Sequence, residues 1–230
     1  MIYILWPTIR PKLFLKSHKV WIDRSNNSDI ITTHVCVDNI KDSEIVKTGL
    51  FEKDKVIVFK SKNIGVCAPS YTLSSDLIAE DGDIIILASD DFIPPHDWPN
   101  ILIEKLGGKE GCLMVNDGYQ KPDSSNMQYP CVTIPIMTYS CLLKLNKIIY
   151  NPSYNHMFSD AELYMNLKDL NLLIDNRKVD ETIFEHVHWV TGKRKADQAD
   201  QSYNLKWKED EMMWNSRKSL PVEKRIEVNI

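Results

Sequence analysis

The stretch Ile84-Ile85-Ile86-Leu87-Ala88-Ser89-Asp90-Asp91 joins an unbroken apolar run to two adjacent acids. A run of this kind is typical of a strand buried on both faces, as in a parallel sheet covered by helices. Because ligands of open α/β sheets bind where such strands end, the two acids are predicted to lie at a binding edge. A divalent cation that bridges neighbouring carboxylates to an anionic diphosphate would relieve their mutual repulsion. The alternative is an Asp-rich turn without a ligand, since Asp is common in turns.

Strand and helix patterns alternate along the chain, which predicts a single α/β domain with a Rossmann-like, mainly parallel sheet flanked by helices. The strand patterns of the first half are Ile2 to Trp6, Ile31 to Val37, Lys55 to Phe59 and Ile84 to Ala88, with helices expected over Leu13 to Ile22 and Pro69 to Glu80. In the second half, strands are expected at Cys112 to Val115, Cys131 to Met137 and Thr182 to Trp189, helices at Thr138 to Leu145 and from Ser159, and a polar loop at 121–129.

The composition is that of a globular protein with one full core. The chain has 230 residues, of which 43% are hydrophobic and 26% charged, and its net charge is −4 with a pI near 5.9. This acidic balance argues against a surface built entirely for nucleic acid, although a local basic patch stays possible.

Five cysteines lie mostly in apolar runs and have no zinc-type spacing, so we expect reduced core thiols in a cytosolic protein. The first apolar run stops at Pro7, and no stretch approaches the roughly 20 apolar residues of a membrane span. The expected location is therefore the cytoplasm.

Polar side chains follow three of the predicted strands: Thr8 after the first, Asp38 after the second, and the Asp90/Asp91 pair after the fourth. The carboxyl ends of parallel strands meet at one edge of a sheet, which is the usual place for a nucleotide. The three strand ends therefore predict a common nucleotide pocket.

The helix that begins near Ser159 carries two further acids. Ser159-Asp160-Ala161-Glu162 has the S-x-x-E pattern of a capping box, which accounts for Glu162 and leaves it only a secondary candidate for acceptor binding. Asp160 lies in the first helical turn, where the helix dipole favours the ionised form of a general base. The alternative is an acid that only stabilises the helix start.

The order of these motifs resembles GT-A glycosyltransferases of the family 2 type, and especially small stand-alone examples encoded by bacteriophages. The motifs that carry the resemblance are Pro7-Thr8, Asp38, Gly82-Asp83, Ser89-Asp90-Asp91, Pro135-Ile136-Met137, Tyr150-Asn151-Pro152, the stretch from His156 to Leu163, Phe184 to His188 and Gly192-Lys193. The resemblance covers about residues 1 to 195. It implies a donor half over about 1–115, an acceptor half over about 116–195, and a helical extension over 196–230.

The resemblance also implies a role for individual residues. Asp38 matches the acid that contacts the donor base, and Asp91 matches the direct metal ligand. Asp90 is expected to face ribose or a metal-bound water, and Asp160 matches the general base of inverting members. His186 or His188 matches a histidine that completes the metal site. Ser89 departs from the family, which often has an acid there, and so removes one possible metal ligand.

Two basic side chains and a histidine pair are further candidates by their positions in the sequence. Arg10 and Lys193 are candidates to meet diphosphate oxygens, with Pro7 and Thr8 in the same donor loop, but each cation could equally be a solvated surface charge. His186 and His188 are two apart on a predicted strand and so share a face. They could equally be half-buried histidines of an edge strand.

The function expected from this resemblance is a Mn²⁺- or Mg²⁺-dependent, inverting transfer of sugar from a nucleotide-diphosphate sugar, with a UDP-sugar preferred. The acceptor would be a hydroxyl of a glycan or of a hydroxymethylated pyrimidine in phage DNA, which places the protein in the host cytoplasm if it is phage-encoded. The alternatives are an inactive nucleotide-sugar-binding module and a nucleotidyltransferase, although the loop from Pro7 to Pro11 lacks the glycines that usually hold a triphosphate.

DNA as acceptor would require a basic surface near the site. The C-terminal segment offers Lys193, Arg194, Lys195, Lys206, Lys208, Arg217 and Lys218, although acids are interspersed among them. The aromatic pair Trp207 and Trp214 in this segment is expected to serve packing.

Overall fold

The computed structural model describes residues 1–59, 65–118, 130–179, 183–189, 192–197, 201 and 206–228. Its strands are β1 (Ile2–Pro7), β2 (Ile31–Val37), β3 (Lys55–Val58), β4 (Ile84–Leu87), β5 (Phe92–Ile93), β6 (Cys112–Met114), β7 (Ile136–Thr138), β8 (Leu173–Asp175) and β9 (Glu185–His186). Its longer helices are α1 (Pro11–Asp23), α2 (Ile40–Lys47), α3 (Cys67–Ser75), α4 (Trp98–Leu106), α5 (Tyr139–Lys144), α6 (Ser159–Asp169), α7 (Trp207–Arg217) and the single turn α8 (Val222–Arg225).

Seven strands form one sheet in the order β3-β2-β1-β4-β7-β6-β8, and β5 pairs separately with β9. β1 lies between two parallel neighbours, with Ile4 opposite both Thr33 of β2 and Ile86 of β4. β7 is antiparallel to both β4 and β6, whereas β8 is parallel to β6. The predicted α/β class with a mainly parallel sheet in a single domain is confirmed.

Side chains of β4 alternate between two hydrophobic cores, as expected of a strand covered on both faces. Ile85 and Leu87 belong to the core beneath α3, α5 and α6, while Ile84 and Ile86 belong to the core beneath α1 and α4. Neither Ile85 nor Ile86 has any exposed surface. Burial on both faces leaves only the ends of this strand for polar residues.

Two tryptophans hold the short strand β5 against helices α1 and α4. The indole N–H of Trp21 donates to the carbonyl oxygen of Phe92 at 2.9 Å, and the indole N–H of Trp98 donates to the carbonyl oxygen of Trp21 at 2.9 Å. Trp21 also packs against Phe184, immediately before β9. Since buried indoles make these hydrogen bonds, they fix the pair β5 and β9 beside the end of β4.

Most elements predicted for the first half are confirmed to within two residues, but the helix expected to reach Glu80 ends at Ser75. The Lys147 ammonium binds the carbonyl oxygens of Ser75 and Leu77 at this end of the helix. In the second half, the apolar run expected as a strand from Cys131 to Met137 forms a strand only at its end, over β7, and the strand expected from Thr182 to Trp189 is limited to β9 in the described residues. The expected loop at 121–129 lies outside the described residues.

The capping box predicted at the start of α6 is wrong. The N-cap position is Phe158, which has a positive φ of 65° and makes no side-chain cap hydrogen bond. Glu162 instead is 1% exposed, and its carboxylate binds the Arg217 guanidinium at 2.8 and 2.9 Å and the Tyr154 hydroxyl at 2.8 Å. The charge of Glu162 therefore joins α6 to α7 and is not available to an acceptor.

The C-terminal helices pack against α6 through further polar contacts. Arg225 donates to the side-chain oxygen of Asn166 at 2.7 Å, and Trp214 is 3% exposed and stacks on Phe158. The packing role predicted for Trp214 is confirmed, whereas Trp207 meets Phe158 by its edge and is 40% exposed. Across the described residues, we find no helix with the length and apolar character that a membrane crossing requires.

Candidate active site

The polar strand ends predicted from the sequence meet at a single cavity. Thr8, Asp38, Asp90 and Asp91 all line it, and Pro7 lies beside Thr8 in its wall. The backbone N–H of Thr8 donates to the carbonyl oxygen of Cys36 at 2.9 Å, which continues the parallel pairing to the edge of the sheet. The cavity therefore lies at the carboxyl edge, where nucleotides bind open α/β sheets.

The carboxylate of Asp90 joins the ends of β1 and β4. One oxygen accepts a hydrogen bond from the Trp6 indole N–H at 2.8 Å, and the other accepts one from the Thr8 hydroxyl at 2.9 Å. Burial raises the pKa of Asp90 to about 7, against the lowering effect of these two donors. Asp90 was expected to face ribose or a metal-bound water, but engagement of both oxygens by the protein favours a role in supporting the cavity wall.

The carboxylate of Asp91 faces basic groups. Its Oδ2 lies 3.4 Å from Nε2 of His186 and 3.6 Å from a guanidinium nitrogen of Arg194. The Ser89 hydroxyl donates to Oδ1, so the serine that departs from the family pattern orients the acid beside it. Burial on its own would raise the pKa of Asp91, but the hydrogen bond and charge of His186, with Ser89, hold it below its ordinary range.

His186 and His188 come to the same point from the pair of short strands. Phe92 pairs with His186 in an antiparallel register, and their rings stack with centroids 4.2 Å apart. Although the strand stops at His186 and His188 lies beyond it, the two imidazole rings are 4.9 Å apart. The two rings therefore lie together at the site, although the strand predicted to align them ends at His186.

Asp91, His186 and His188 each offer one ligand atom, and these atoms lie within 4.8 Å of one another. A carboxylate oxygen with two imidazole nitrogens suits Mn²⁺ and other first-row divalent cations, whereas Mg²⁺ prefers oxygen ligands alone. The donor set therefore fits a divalent cation, with Mn²⁺ favoured over Mg²⁺.

Asp160 lines the same cavity from the first turn of α6. Its Oδ1 accepts a hydrogen bond from the backbone N–H of Ala161 at 2.9 Å. Burial raises the pKa of Asp160 above the ordinary carboxyl value, even though the Cys131 thiol and the Ala161 N–H act in the opposite direction. The helix dipole was expected to favour the ionised form, but desolvation outweighs it here.

His156 also lines the cavity, although no sequence pattern predicts an individual role for it. Residues 155 to 157 are held by Asp210 of α7, whose carboxylate accepts hydrogen bonds from the backbone N–H groups of Asn155, His156 and Met157 at 2.7 to 2.8 Å. Burial lowers the pKa of His156 to about 4, so its ring is neutral at physiological pH. The C-terminal extension thus shapes the wall from which His156 and Asp160 face the cavity.

Two arginines supply positive charge to the cavity. Arg10 pairs with Asp197 at 3.0 Å, and Arg194 lies beside Asp91. Lys193 is not among the cavity-lining residues, because its ammonium pairs with Glu185 at 2.9 Å on the exposed side of β9. Lys193, which was predicted to face the cavity, therefore does not line it, and the neighbouring Arg194 does.

Asp38 is largely exposed at the rim of the cavity, directly after β2. Partial burial raises its pKa, and the nearby charge of Asp42 adds to the effect. Its position directly after the strand is the one predicted from the sequence.

No protein-family model matches the chain, and no curated protein matches it in sequence. Solved structures do match its fold. The mannosyltransferase PcManGT from Pyrobaculum calidifontis, in complex with GDP-Man and Mn²⁺, superposes with a TM-score of 0.66 at 10% identity, over 94% of this chain and 63% of that one. TarS 1–349 from S. aureus, in complex with UDP-GlcNAc, superposes with a TM-score of 0.64 at 12% identity, over 86% of this chain and 60% of that one.

A third match is glucosyl-3-phosphoglycerate synthase from Mycobacterium tuberculosis, in complex with Mn²⁺, UDP and phosphoglyceric acid. It superposes with a TM-score of 0.59 at 12% identity, over 96% of this chain and 79% of that one. The chain spans about three fifths of the length of the TarS 1–349 and PcManGT structures. At such low identity these similarities establish the fold, and the GT-A fold implied by the sequence motifs is confirmed.

Proposed function

We propose that this chain is a metal-dependent glycosyltransferase that moves a sugar from a nucleotide-diphosphate sugar to an acceptor hydroxyl. The observation that carries the proposal is the cluster of Asp91, His186 and His188 in the cavity that Asp160 also lines. Proteins of the same fold in complex with UDP-GlcNAc, or with GDP-Man and Mn²⁺, support the donor class.

The three clustered side chains would hold the cation, with Mn²⁺ preferred to Mg²⁺. When bound, the cation would supply Lewis-acid charge beside the leaving nucleoside diphosphate. The guanidinium of Arg194 lies 3.6 Å from Asp91, so the protein also supplies positive charge of its own beside the proposed cation site.

Arg10 and Arg194 are the residues that we propose for the diphosphate oxygens, and Arg194 takes the place first assigned to Lys193. A planar guanidinium can bind phosphate through two parallel hydrogen bonds. Both arginines now contact acids, so binding of a diphosphate would exchange these contacts for contacts to phosphate. Asp38 at the rim would accept a hydrogen bond from the base, and a uracil base is our preferred assignment.

Asp160 is the general base of the proposed reaction. Its carboxylate would take the proton of the acceptor hydroxyl as that oxygen bonds to the anomeric carbon and the bond to the diphosphate breaks. The acceptor attacks from the side opposite the leaving group, so the configuration inverts. Because burial raises the pKa of Asp160, the carboxylate is a stronger base than an exposed one.

A glycan hydroxyl is the acceptor class that the charges favour over hydroxymethylated DNA. Of the cations that could have formed a basic surface, Arg217 is buried against Glu162, while Lys193 and Lys206 pair with glutamates. Ion pairing of this kind reduces the positive charge that these side chains could offer to a phosphate backbone. DNA is therefore the second choice.

The cysteines bear on the compartment. All five are buried and none forms a disulfide, and burial raises the pKa of the Cys36 thiol to about 12. Reduced thiols of this kind fit a reducing compartment, so we propose the cytoplasm.

The test is a panel of UDP- and GDP-sugars offered with Mn²⁺ to glycan acceptors and to hydroxymethylated DNA, with products identified by mass spectrometry. We expect transfer from a UDP-sugar to a glycan, and none with Asp160→Asn. Binding of the donor without transfer or hydrolysis would support the inactive binding module instead. Consumption of a nucleoside triphosphate with release of pyrophosphate would support the nucleotidyltransferase.

A further inference from the structure

We propose that Asp117 is a positioning residue that orients His186 toward the cation. The inference rests on the proposed function, and it adds a residue that neither the sequence motifs nor the cavity lining identifies. Asp117 follows β6 on the far side of His186 from Asp91, so it would act through the histidine and not touch the cation itself.

Asp117 is a carboxylate built into the interior. Its side chain has no exposed surface, and its Oδ2 accepts a hydrogen bond from the Thr133 hydroxyl at 2.8 Å. Its backbone carbonyl oxygen accepts a hydrogen bond from the backbone N–H of His186 at 3.0 Å. Burial of a carboxylate is unfavourable unless polar groups compensate it, so an acid at this position needs the groups that face it.

The His186 ring is constrained from three directions. Its face stacks on Phe92 with an interplanar angle of 15°, and its Nε2 faces Asp91. Its Nδ1 lies 3.9 Å from Oδ2 of Asp117, which is a polar contact longer than the roughly 2.7–3.2 Å of a hydrogen bond.

This arrangement has a specific chemical consequence for the imidazole. A metal-binding histidine usually donates its second ring N–H to a carboxylate, which fixes the tautomer and makes the other nitrogen a better ligand. If a cation takes the place of the Nε2–H contact to Asp91, Asp117 facing Nδ1 would favour the ring proton on Nδ1 and leave the lone pair of Nε2 for the cation. Loss of Asp117 should therefore weaken cation binding, and the whole of this effect should depend on the presence of His186.

The experiment is a titration of Mn²⁺ alone, followed by calorimetry and by the EPR signal of free Mn²⁺, without donor or acceptor. The proteins are wild type, Asp117→Asn, His186→Ala and the double variant, with Asp81→Asn as a control for loss of one exposed negative charge. We expect Asp117→Asn to bind Mn²⁺ about 10- to 100-fold more weakly. In the His186→Ala background the same change should alter the affinity by less than about twofold, because the two effects share one partner.

Thr133→Val provides a second variant that keeps the buried charge and removes its hydroxyl donor. If Asp117 orients His186, Thr133→Val should also bind Mn²⁺ more weakly than wild type. The melting temperature of the cation-free protein shows whether the fold of the variant is intact. Equal Mn²⁺ affinity in wild type and folded Asp117→Asn would overturn the inference and leave the proposed function standing. An equal loss from Asp117→Asn with and without His186 would also overturn it, because Asp117 would then act as a general charge. A wild-type protein that binds no Mn²⁺, alone or with UDP, would overturn the proposed function itself.

Discussion

Nε2 of His186 lies 3.4 Å from Oδ2 of Asp91, which brings the end of the central strand β4 against the separate pair of β5 and β9. The backbone N–H of Val187 donates to the carbonyl oxygen of Asp91 at 2.7 Å and holds the two segments together. Backbone pairing thus brings the acid and the histidine, which are far apart in sequence, to neighbouring positions in the cavity.

Replacement of Asp160 by Asn should separate catalysis from folding. We expect transfer to fall by about 10²- to 10⁴-fold, the usual contribution of a positioned base. Asparagine in the first turn loses at most about 1 kcal/mol of helix-dipole interaction, so melting temperature and donor affinity should stay near wild type. Glu209→Gln, which removes a first-turn acid of α7, is the matched control and should transfer normally. Near-normal turnover in Asp160→Asn would remove this residue from the catalytic list.

The rate of transfer should depend on pH through the same carboxyl group. A general base acts in its deprotonated form, so the rate should fall as the pH falls through the pKa of Asp160. Because burial raises that pKa above the ordinary value of 3.8, the loss should begin at a higher pH than for an exposed aspartate. Single-turnover rates of wild type and Asp160→Asn across the acid range provide the measurement. The acid limb should be absent from the variant, and its persistence there would assign it to another group.

Replacement of Asp38 by Ala should weaken nucleotide binding selectively. A hydrogen bond from the base to this carboxylate contributes on the order of 1 to 3 kcal/mol. We expect the substitution to lower the affinity for UDP only. The affinities for other nucleoside diphosphates, which bind the wild type more weakly, and for Mn²⁺ should stay unchanged, and calorimetry measures all of them. Asp42→Ala, on the neighbouring turn, serves as the control. Equal losses for every base would contradict a contact to uracil.

The ion pair between Glu162 and Arg217 should dominate the attachment of the C-terminal helices. Their side chains are 2% and 10% exposed, so Arg217→Ala leaves a buried carboxylate unpaired and should lower the free energy of unfolding by about 3 to 5 kcal/mol. Lys206→Ala breaks the more exposed pair with Glu209 and should cost less than about 1 kcal/mol. Urea unfolding of both variants makes the comparison. Equal losses in the free energy of unfolding would mean that the buried pair contributes no more to stability than the exposed one.

The positions of the central strands along the chain and the fold class could be predicted from sequence because burial on both faces leaves a continuous apolar run, as in Ile84–Leu87. The strand ends also predicted the cavity, since parallel strands bring their carboxyl ends to one edge. Two-residue strands such as β5 and β9 are too short to give a periodic signal, and their pairing depends on the tryptophans that anchor Phe92.

Roles that depend on distant partners could not be predicted. Glu162 has the local pattern of a cap, but its partner Arg217 lies 55 residues away and is brought close only by the fold. The same is true of His156, which is placed by Asp210 of α7. Lys193 and Arg194 are adjacent cations, and from the sequence either could bind a diphosphate. Only the path of the chain after β9 determines that Arg194 lines the cavity.

The most direct test of the central claim is calorimetric titration of UDP into the protein with Mn²⁺ and with EDTA, for wild type and Asp91→Asn. The amide keeps the shape of the side chain and removes the charge that recruits the cation. We predict that wild type binds UDP much more tightly with Mn²⁺ than with EDTA and that Asp91→Asn loses this difference while its melting temperature stays close to wild type. Binding of UDP to wild type with equal affinity in Mn²⁺ and EDTA would contradict the account.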